Sequence, residues 1–101
     1  MSDNKGAQKK QHEDALLAEY CRTRDIKLRN QLVNKYLYIA EIIAKKFTNR
    51  GIEYDDLFQV ASLALIKALE RYDINKGYKF SSFATPTIVG EIKNYFRDKS
   101  R

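Results

Sequence analysis

Apolar residues recur at helical spacing through the middle of the chain. From position 28 they follow at intervals of 4, 4, 3, 4 and 4 residues, through Leu28, Leu32, Tyr36, Ile39, Ile43 and Phe47. This spacing places them on one face and predicts a helix of about six turns. Thr23 and Asp25 offer a capping oxygen at its start. Asn49-Arg50-Gly51 supplies its end, since glycine readily adopts the left-handed conformation that closes a helix.

A second amphipathic helix is predicted from about Tyr54 to Tyr72. One face of it carries Leu57, Ala61, Ala64, Leu65, Ala68, Leu69 and Tyr72. Asp55 and Asp56 in the first turn suit the positive end of the helix dipole, and Arg71 in the last turn suits the negative end.

The segment after position 72 is predicted as a turn, a short connector and a last helix. Residues 73–77 have turn composition, and residues 78–80 read as extended. The last helix presents Ala84, Ile88, Ile92, Tyr95 and Phe96 on one side. Its start has two interpretations: Ser81 or Ser82 caps it and Pro86 falls in the first turn, or Thr85 caps it and Pro86 is its first residue.

These patterns predict an all-α fold, a small bundle of about four helices. Residues 1–11 show no apolar periodicity and read as a disordered lead-in. A short first helix is predicted from His12 to about Arg22, so residues 12–101 form the folded domain. No run of alternating β-branched residues indicates a strand.

The composition bounds the class of protein. A chain of 101 residues supports one hydrophobic core. Cys21 is the only cysteine, which excludes an internal disulfide and a zinc site built from cysteines. The longest apolar stretch, within residues 60–66, falls far short of the roughly 18 to 20 residues that a membrane span needs. The polar N-terminus does not resemble a secretory signal. We therefore expect a soluble, cytoplasmic protein that does not act on a membrane.

The net charge of +6 is unevenly distributed along the chain. Residues 1–22 carry no net charge, residues 23–50 carry +5, residues 51–75 carry −3 and residues 76–101 carry +4. A basic surface attracts polyanions such as nucleic acid, although lysine and arginine also simply solvate helix faces. An acidic stretch between two basic ones indicates two surfaces with different partners.

Catalytic chemistry is poorly supported. His12 lies in the polar N-terminal part and cannot anchor a triad, and Cys21 has no obvious base. Asp55, Asp56 and Asp73 lack the spacing of a calcium loop. The sequence therefore predicts a binding protein that is not an enzyme and has no metal or cofactor.

Aromatic residues cluster between the last two predicted helices. Tyr72, Tyr78, Phe80 and Phe83 fall within twelve residues and are interleaved with Arg71, Lys76 and Lys79. Aromatic rings stack on unpaired bases while nearby cations hold the phosphates, so this combination suits single-stranded nucleic acid. The alternative interpretation places Tyr72 and Phe80 in the core at a helix–helix corner. Tyr78 and Phe83 are the better candidates for exposure.

Three segments together resemble the second conserved region of bacterial sigma factors, the sigma seventy family. They are Asp55-Asp56-Leu57-Phe58-Gln59-Val60-Ala61, then residues 64–73, then Lys76-Gly77-Tyr78-Lys79-Phe80-Ser81-Ser82-Phe83-Ala84. Residues 86–93 and 95–98 are similar to the general-stress and sporulation subgroup in particular. The resemblance implies a helical domain that docks on the RNA polymerase core and opens the promoter at the −10 element.

Carried over by position, the resemblance implies two sets of contact residues. The set that grips the coiled coil of the polymerase β′ subunit is Asp56, Gln59, Val60, Ser62 and Ile66. The set around the unstacked non-template bases is Tyr72, Asp73, Lys76, Tyr78, Lys79, Phe80, Ser82 and Phe83, with Tyr72 and Phe83 nearest the flipped adenine. The set at the upstream edge of the −10 element is Gly90, Lys93, Asn94 and Arg97.

The sequence also departs from the family pattern. Housekeeping members carry two tryptophans where Pro86 and Thr87 stand, so we expect weaker intrinsic melting and a stringent alternative factor. Val60 replaces a common acidic residue, which makes part of the docking face apolar. The chain stops at Arg101 without a helix-turn-helix for the −35 element, so we expect a fragment of a longer factor, with a naturally short protein as the alternative.

Two further readings accompany this resemblance. The subgroup implies a third partner, an anti-sigma factor that covers the polymerase-binding face. A helical protein-interaction module, whose aromatics are all core and whose basic ends are only solvated, is the alternative function.

Overall fold

A computed structural model describes residues 15–99, which form four helices. These are α1 (residues 15–23), α2 (Ile26–Lys46), α3 (Tyr54–Arg71) and α4 (Phe80–Lys99). Short 3-10 turns, Thr48–Arg50 and Ile74–Lys76, precede α3 and α4, and no strand occurs among these residues. The predicted all-α bundle is confirmed. The predicted lead-in over residues 1–11 and the start at His12 lie outside the described residues.

Helix α2 begins where the sequence predicts and ends earlier. The carboxylate of Asp25 accepts a hydrogen bond from the backbone N–H of Lys27 at 2.9 Å, so it is the N-cap. The helix ends at Lys46, and Gly51, with φ of 91°, closes the following 3-10 turn instead of α2. The buried face is Leu32, Tyr36, Ile39, Ala40, Ile43 and Ala44.

Helix α3 is the centre of the bundle, because α2 and α4 both pack against it. Three of its buried positions are alanines, which allow neighbouring helices to approach closely. Every residue of the predicted apolar face is buried: Leu57, Ala61, Ala64, Leu65, Ala68, Leu69 and Tyr72.

Helix α4 starts earlier than either interpretation of the sequence. It begins at Phe80, and the backbone N–H of Phe83 donates to the carbonyl of Lys79 at 3.2 Å. The Phe80 ring is buried against Tyr36, with ring centroids 4.7 Å apart, so a long-range contact draws this residue out of the predicted connector and into the helix. Pro86 is therefore the seventh residue of α4, in its second turn.

Helix α1 docks on the same core through Leu17 and Tyr20, both buried. It ends at Thr23, and the next residue, Arg24, is left-handed with φ of 58°. The Arg24 guanidinium lies over the Tyr20 ring and donates to the carbonyl of Glu70 at the end of α3, at 3.0 Å. On the outer side, a hydrogen bond to Glu19 raises the pKa of the exposed Arg22 guanidinium. The junction between α1 and α2 is thus tied to the C-terminus of α3.

Residues 15–99 contain neither a membrane-spanning helix nor a cluster of metal ligands. No helix there combines the length and apolarity needed to cross a bilayer. No three His, Cys, Asp or Glu side chains there lie close enough together to hold a metal ion.

The N-cap of α2 gives a first test of the fold. Asp25→Ala removes the acceptor for the Lys27 N–H and should lower the free energy of unfolding by about 1 kcal/mol. Asp25→Asn is the matched control, since it keeps the acceptor oxygen and should lose less. Urea denaturation followed by circular dichroism measures both, and equal losses would contradict the capping role.

Candidate nucleic-acid interface and docking face

Four aromatic side chains meet where α3 ends and α4 begins. We call this cluster the aromatic corner: Tyr72, Tyr78, Phe80 and Phe83. Tyr72 is its hub, with ring centroids 5.4 Å from Phe80, 5.9 Å from Tyr78 and 6.1 Å from Phe83. The Tyr72 and Phe80 rings meet edge to face at 88°, a favourable arrangement for aromatic pairs.

The corner has a buried half and an outward half. Tyr72 and Phe80 are only 5% and 3% exposed, so their rings belong to the core, in agreement with the alternative interpretation of these two residues. Tyr78 is 37% exposed and Phe83 is half-buried. The rings of Tyr78 and Phe83 are stacked, with centroids 5.7 Å apart and an angle of 21° between their planes. The outward half therefore offers the stacking surface of the corner.

The connector between α3 and α4 is fixed by hydrogen bonds. The Tyr72 hydroxyl donates to the Tyr78 carbonyl at 2.7 Å, which fixes the backbone that carries the outward ring. The Asp73 carboxylate accepts from the Asn75 N–H at 3.0 Å and caps the 3-10 turn. Gly77, with φ of 82°, provides the left-handed residue that ends this turn. Asp73, predicted to contact DNA, thus also has a structural role.

An open cavity of about 540 Å³ lies beside the aromatic corner. Its volume is in the range of small-molecule sites, so it can admit a nucleobase. Its lining residues come from α1, α2, the connector and α4: Leu17, Tyr36, Tyr38, Tyr72, Ile74, Gly77, Tyr78, Lys79, Phe80 and Ser81.

Sequence reasoning missed the α1 and α2 side of this cavity. Leu17 and Tyr36 follow the ordinary apolar periodicity and carry no distinguishing signal. Tyr38 does carry one, because it is an aromatic residue off the apolar face of a basic helix, and it is 53% exposed.

Three basic residues lie next to the aromatic corner along the chain. Lys76 and Lys79 lie on the connector and Arg71 ends α3; all three residues are exposed. Ser82, the remaining residue predicted to face the unstacked bases, is exposed in the first turn of α4. The structure therefore brings cations, an exposed ring and a cavity together within one short segment.

The upstream-edge residues share one side of α4. Gly90, Lys93 and Arg97 are spaced so that they lie opposite the buried face, and an added Cβ at Gly90 would meet nothing within 4 Å. Asn94 is exposed, but it also lines a groove toward α3. This set is continuous with Phe83 on the same side of α4.

The residues predicted to grip the polymerase occupy one face of α3 and its two edges. Asp56, Gln59 and Ile66 share the face opposite the core, given about 100° of rotation per residue. Val60 lies at the edge toward α4, where it lines the groove. Ser62 lies at the other edge, and its hydroxyl donates to the Phe58 carbonyl one turn back, at 2.8 Å.

Leu63 is the residue that sequence reasoning missed on this face. It is 57% exposed in the middle of the outer face of α3 and lines a groove of about 210 Å³ between α3 and α4. The Lys67 ammonium and the Glu91 carboxylate, 3.3 Å apart, form an ion pair between the two helices. The sequence does carry a signal for this residue. Leu63 lies outside the predicted core face and three residues from both Val60 and Ile66, which are predicted docking residues.

Residues 32–101 match the family model described as Sigma-70 region 2. The chain belongs to the sigma-70 family. Both the aromatic corner and the outer face of α3 lie inside the matched part of this sigma region 2, and α1 precedes it. The family predicted from the sequence is therefore confirmed.

Relatives place this sigma region 2 in the predicted stress and sporulation subgroup. It is 35% identical to RNA polymerase sigma-F factor of Bacillus subtilis over 96 residues, 95% of this chain and 38% of that relative. It is 46% identical to RNA polymerase sigma factor SigF of Mycobacterium tuberculosis over 72 residues, 71% of this chain and 28% of that relative. It is 38% identical to RNA polymerase sigma-B factor of Bacillus subtilis over 87 residues, 86% of this chain and 33% of that relative. The chain thus spans between about a quarter and two fifths of these relatives.

The hydrogen bond at the hub gives a test of how the corner is held. Tyr72→Phe keeps the ring contacts and removes the donor to the Tyr78 carbonyl, so it should cost about 0.5 to 1.5 kcal/mol and speed amide hydrogen exchange in residues 77–79. Tyr54→Phe, at the opposite end of α3, is the control. Unchanged exchange in residues 77–79 would contradict the role of this bond.

Proposed function

We propose that this sigma region 2 binds the RNA polymerase core and captures unpaired non-template bases of the promoter −10 element to start transcription. The observation that carries the proposal is the outward half of the aromatic corner, where exposed Tyr78 stacks on Phe83 beside Lys76 and Lys79. The role needs no catalytic group, metal or cofactor.

The geometry of the corner supports base capture. An everted base stacks on the outward rings, at a gain of about 1 to 3 kcal/mol per base, while the lysines hold the phosphates. The buried rings of Tyr72 and Phe80 pack against the outward rings and hold them in place. Little conformational entropy of these side chains is therefore lost when a base binds. The adjoining cavity supports entry of a base beside Tyr78. The face of α4 with Lys93 and Arg97 then suits the upstream duplex edge.

Removal of one outward ring tests base capture. Phe83→Ala should weaken binding of a single-stranded oligonucleotide with the −10 non-template sequence by about 1 to 3 kcal/mol. Tyr54→Ala is the matched control, because Tyr54 is also a half-buried ring stacked on another aromatic ring, that of Phe58, at the far end of α3. Fluorescence anisotropy measures both variants, and wild-type binding should weaken as salt rises.

Double-stranded DNA of random sequence is the competing ligand in that experiment. Equal affinity for it would contradict base capture and leave only general attraction to a polyanion. Absence of any DNA binding would favour the protein-interaction module.

Polymerase docking is assigned to the outer face of α3. Exposed Asp56 and Gln59 offer polar contacts, and Leu63 and Ile66 offer apolar contacts, a mixture typical of protein interfaces. The net charge of −3 over residues 51–75 disfavours binding of DNA phosphates to this face, which supports a protein as its partner. We propose the coiled coil of the β′ subunit as the contact.

Charge reversal on this face tests the assignment. Asp56→Lys should impair binding to immobilised RNA polymerase core at least tenfold and leave the affinity for the single-stranded oligonucleotide nearly unchanged. It also removes a favourable charge from the first turn of α3, at a cost of about 0.3 to 1 kcal/mol, so circular dichroism must accompany it. Gln59→Ala is the milder second variant.

Glu41→Lys is the control, an exposed charge reversal of the same size on α2. Equal loss of core binding in this control would refute a specific docking face on α3. Joint loss of core and DNA binding in Asp56→Lys would indicate unfolding.

Two further parts of the proposal start from the family to which the chain belongs. We propose an anti-sigma factor as a partner that competes with the polymerase for the α3 face, and the exposed Leu63 with its groove supports a protein partner there. The site of action is the cytoplasm, at the nucleoid.

A further inference from the structure

Pro86 leaves one backbone carbonyl of α4 without its helical donor. A regular helix would occupy the Ser82 carbonyl with the N–H of residue 86, and proline has none. The threonines on either side of Pro86 donate to the carbonyls next to that of Ser82. The Thr85 hydroxyl donates to the Ser81 carbonyl at 2.9 Å, and the Thr87 hydroxyl donates to the Phe83 carbonyl at 3.0 Å. Neither threonine hydroxyl therefore bonds to the Ser82 carbonyl, which keeps its capacity to accept a hydrogen bond from a ligand.

This acceptor lies on the side of α4 assigned to DNA. Ser82 and Pro86 are both exposed, so this turn of the helix faces away from the core. Ser82 directly precedes Phe83, whose ring stacks on Tyr78 in the outward half of the corner. On the helical wheel, Pro86 lies between Phe83 and Lys93, opposite the buried residues of α4. A base next to a stacked one would therefore meet this oxygen.

We propose that the Ser82 carbonyl accepts a hydrogen bond from the exocyclic amino group of a promoter base, and that Pro86 is a specificity-determining positioning residue that keeps the carbonyl open. Adenine, cytosine and guanine carry such an amino group, and thymine carries none. A carbonyl can only accept, so it favours adenine over the same purine without its amino group. The inference rests on the proposed capture of single-stranded DNA at the aromatic corner.

The experiment uses oligonucleotides that differ by one amino group. The background is a single strand of about twelve thymidines, a length typical of single-strand sites. One adenine is moved along it, and at each position it is compared with unsubstituted purine, which lacks the amino group. Fluorescence anisotropy should find one position where wild type prefers adenine about 3- to 10-fold.

Two variants close the carbonyl in different ways. Pro86→Ala and Pro86→Gly both restore the N–H toward Ser82, but alanine stabilises the helix and glycine does not. Both should bring the adenine-to-purine ratio to about 1 and still bind the thymidine strand. Ser82→Ala keeps the carbonyl and removes the hydroxyl, so its ratio should match that of wild type at any overall affinity.

The outcomes separate this inference from the proposed function. A ratio retained in both Pro86 variants, or lost only in Pro86→Ala, overturns the role of the carbonyl. Loss of the ratio in Ser82→Ala transfers the contact to the hydroxyl and also overturns it. If the wild-type protein binds the thymidine strand but prefers adenine at no position, the inference is refuted and the proposed base capture is not. Wild type that binds none of the strands refutes both.

Discussion

The buried ring of Tyr72 is the constraint on which the functional end of the molecule depends. It ends α3, meets the Phe80 ring edge to face, and its hydroxyl holds the Tyr78 carbonyl. Because the core fixes Tyr72, the connector after it has little freedom, and the rings of Tyr78 and Phe83 are held outward before any ligand arrives. Aromatic side chains thus form both the interior and the exterior of the corner, and the interior rings set the position of the exterior ones.

Helix α3 separates two surfaces of opposite character. Its outer face is acidic and apolar around Asp56 and Leu63, whereas its C-terminal end enters the cationic, aromatic corner. The helix is 18 residues long, or roughly 27 Å, so the two surfaces can meet different partners at the same time. The acidic segment of residues 51–75 supplies Asp56 to the outer face of α3, and the basic segment of residues 76–101 supplies Lys76 and Lys79 to the corner.

Local patterns predicted most of the fold and part of the site. The α3 face was fully predictable, since its spacing is a property of one helix, and Asp25 was one of the two residues predicted as the cap of α2. The start of α4 was not, because burial of Phe80 against Tyr36 is a contact between distant parts of the chain. The predicted exposure of Tyr78 is confirmed. Tyr38 and Leu63 were missed, since single apolar residues on polar faces acquire meaning only beside a cavity or groove.

The contacts of α1 have a consequence for where the folded unit begins. The family match starts at residue 32, yet Leu17 fills the core and lines the cavity, the Cys21 thiol donates to the Tyr72 carbonyl, and Arg24 reaches Glu70. A polypeptide cut at the match boundary would leave bare apolar surface beneath the corner and free the last carbonyls of α3. The segment that the family model matches is therefore shorter than the segment that folding requires, and truncations should retain the preceding helix.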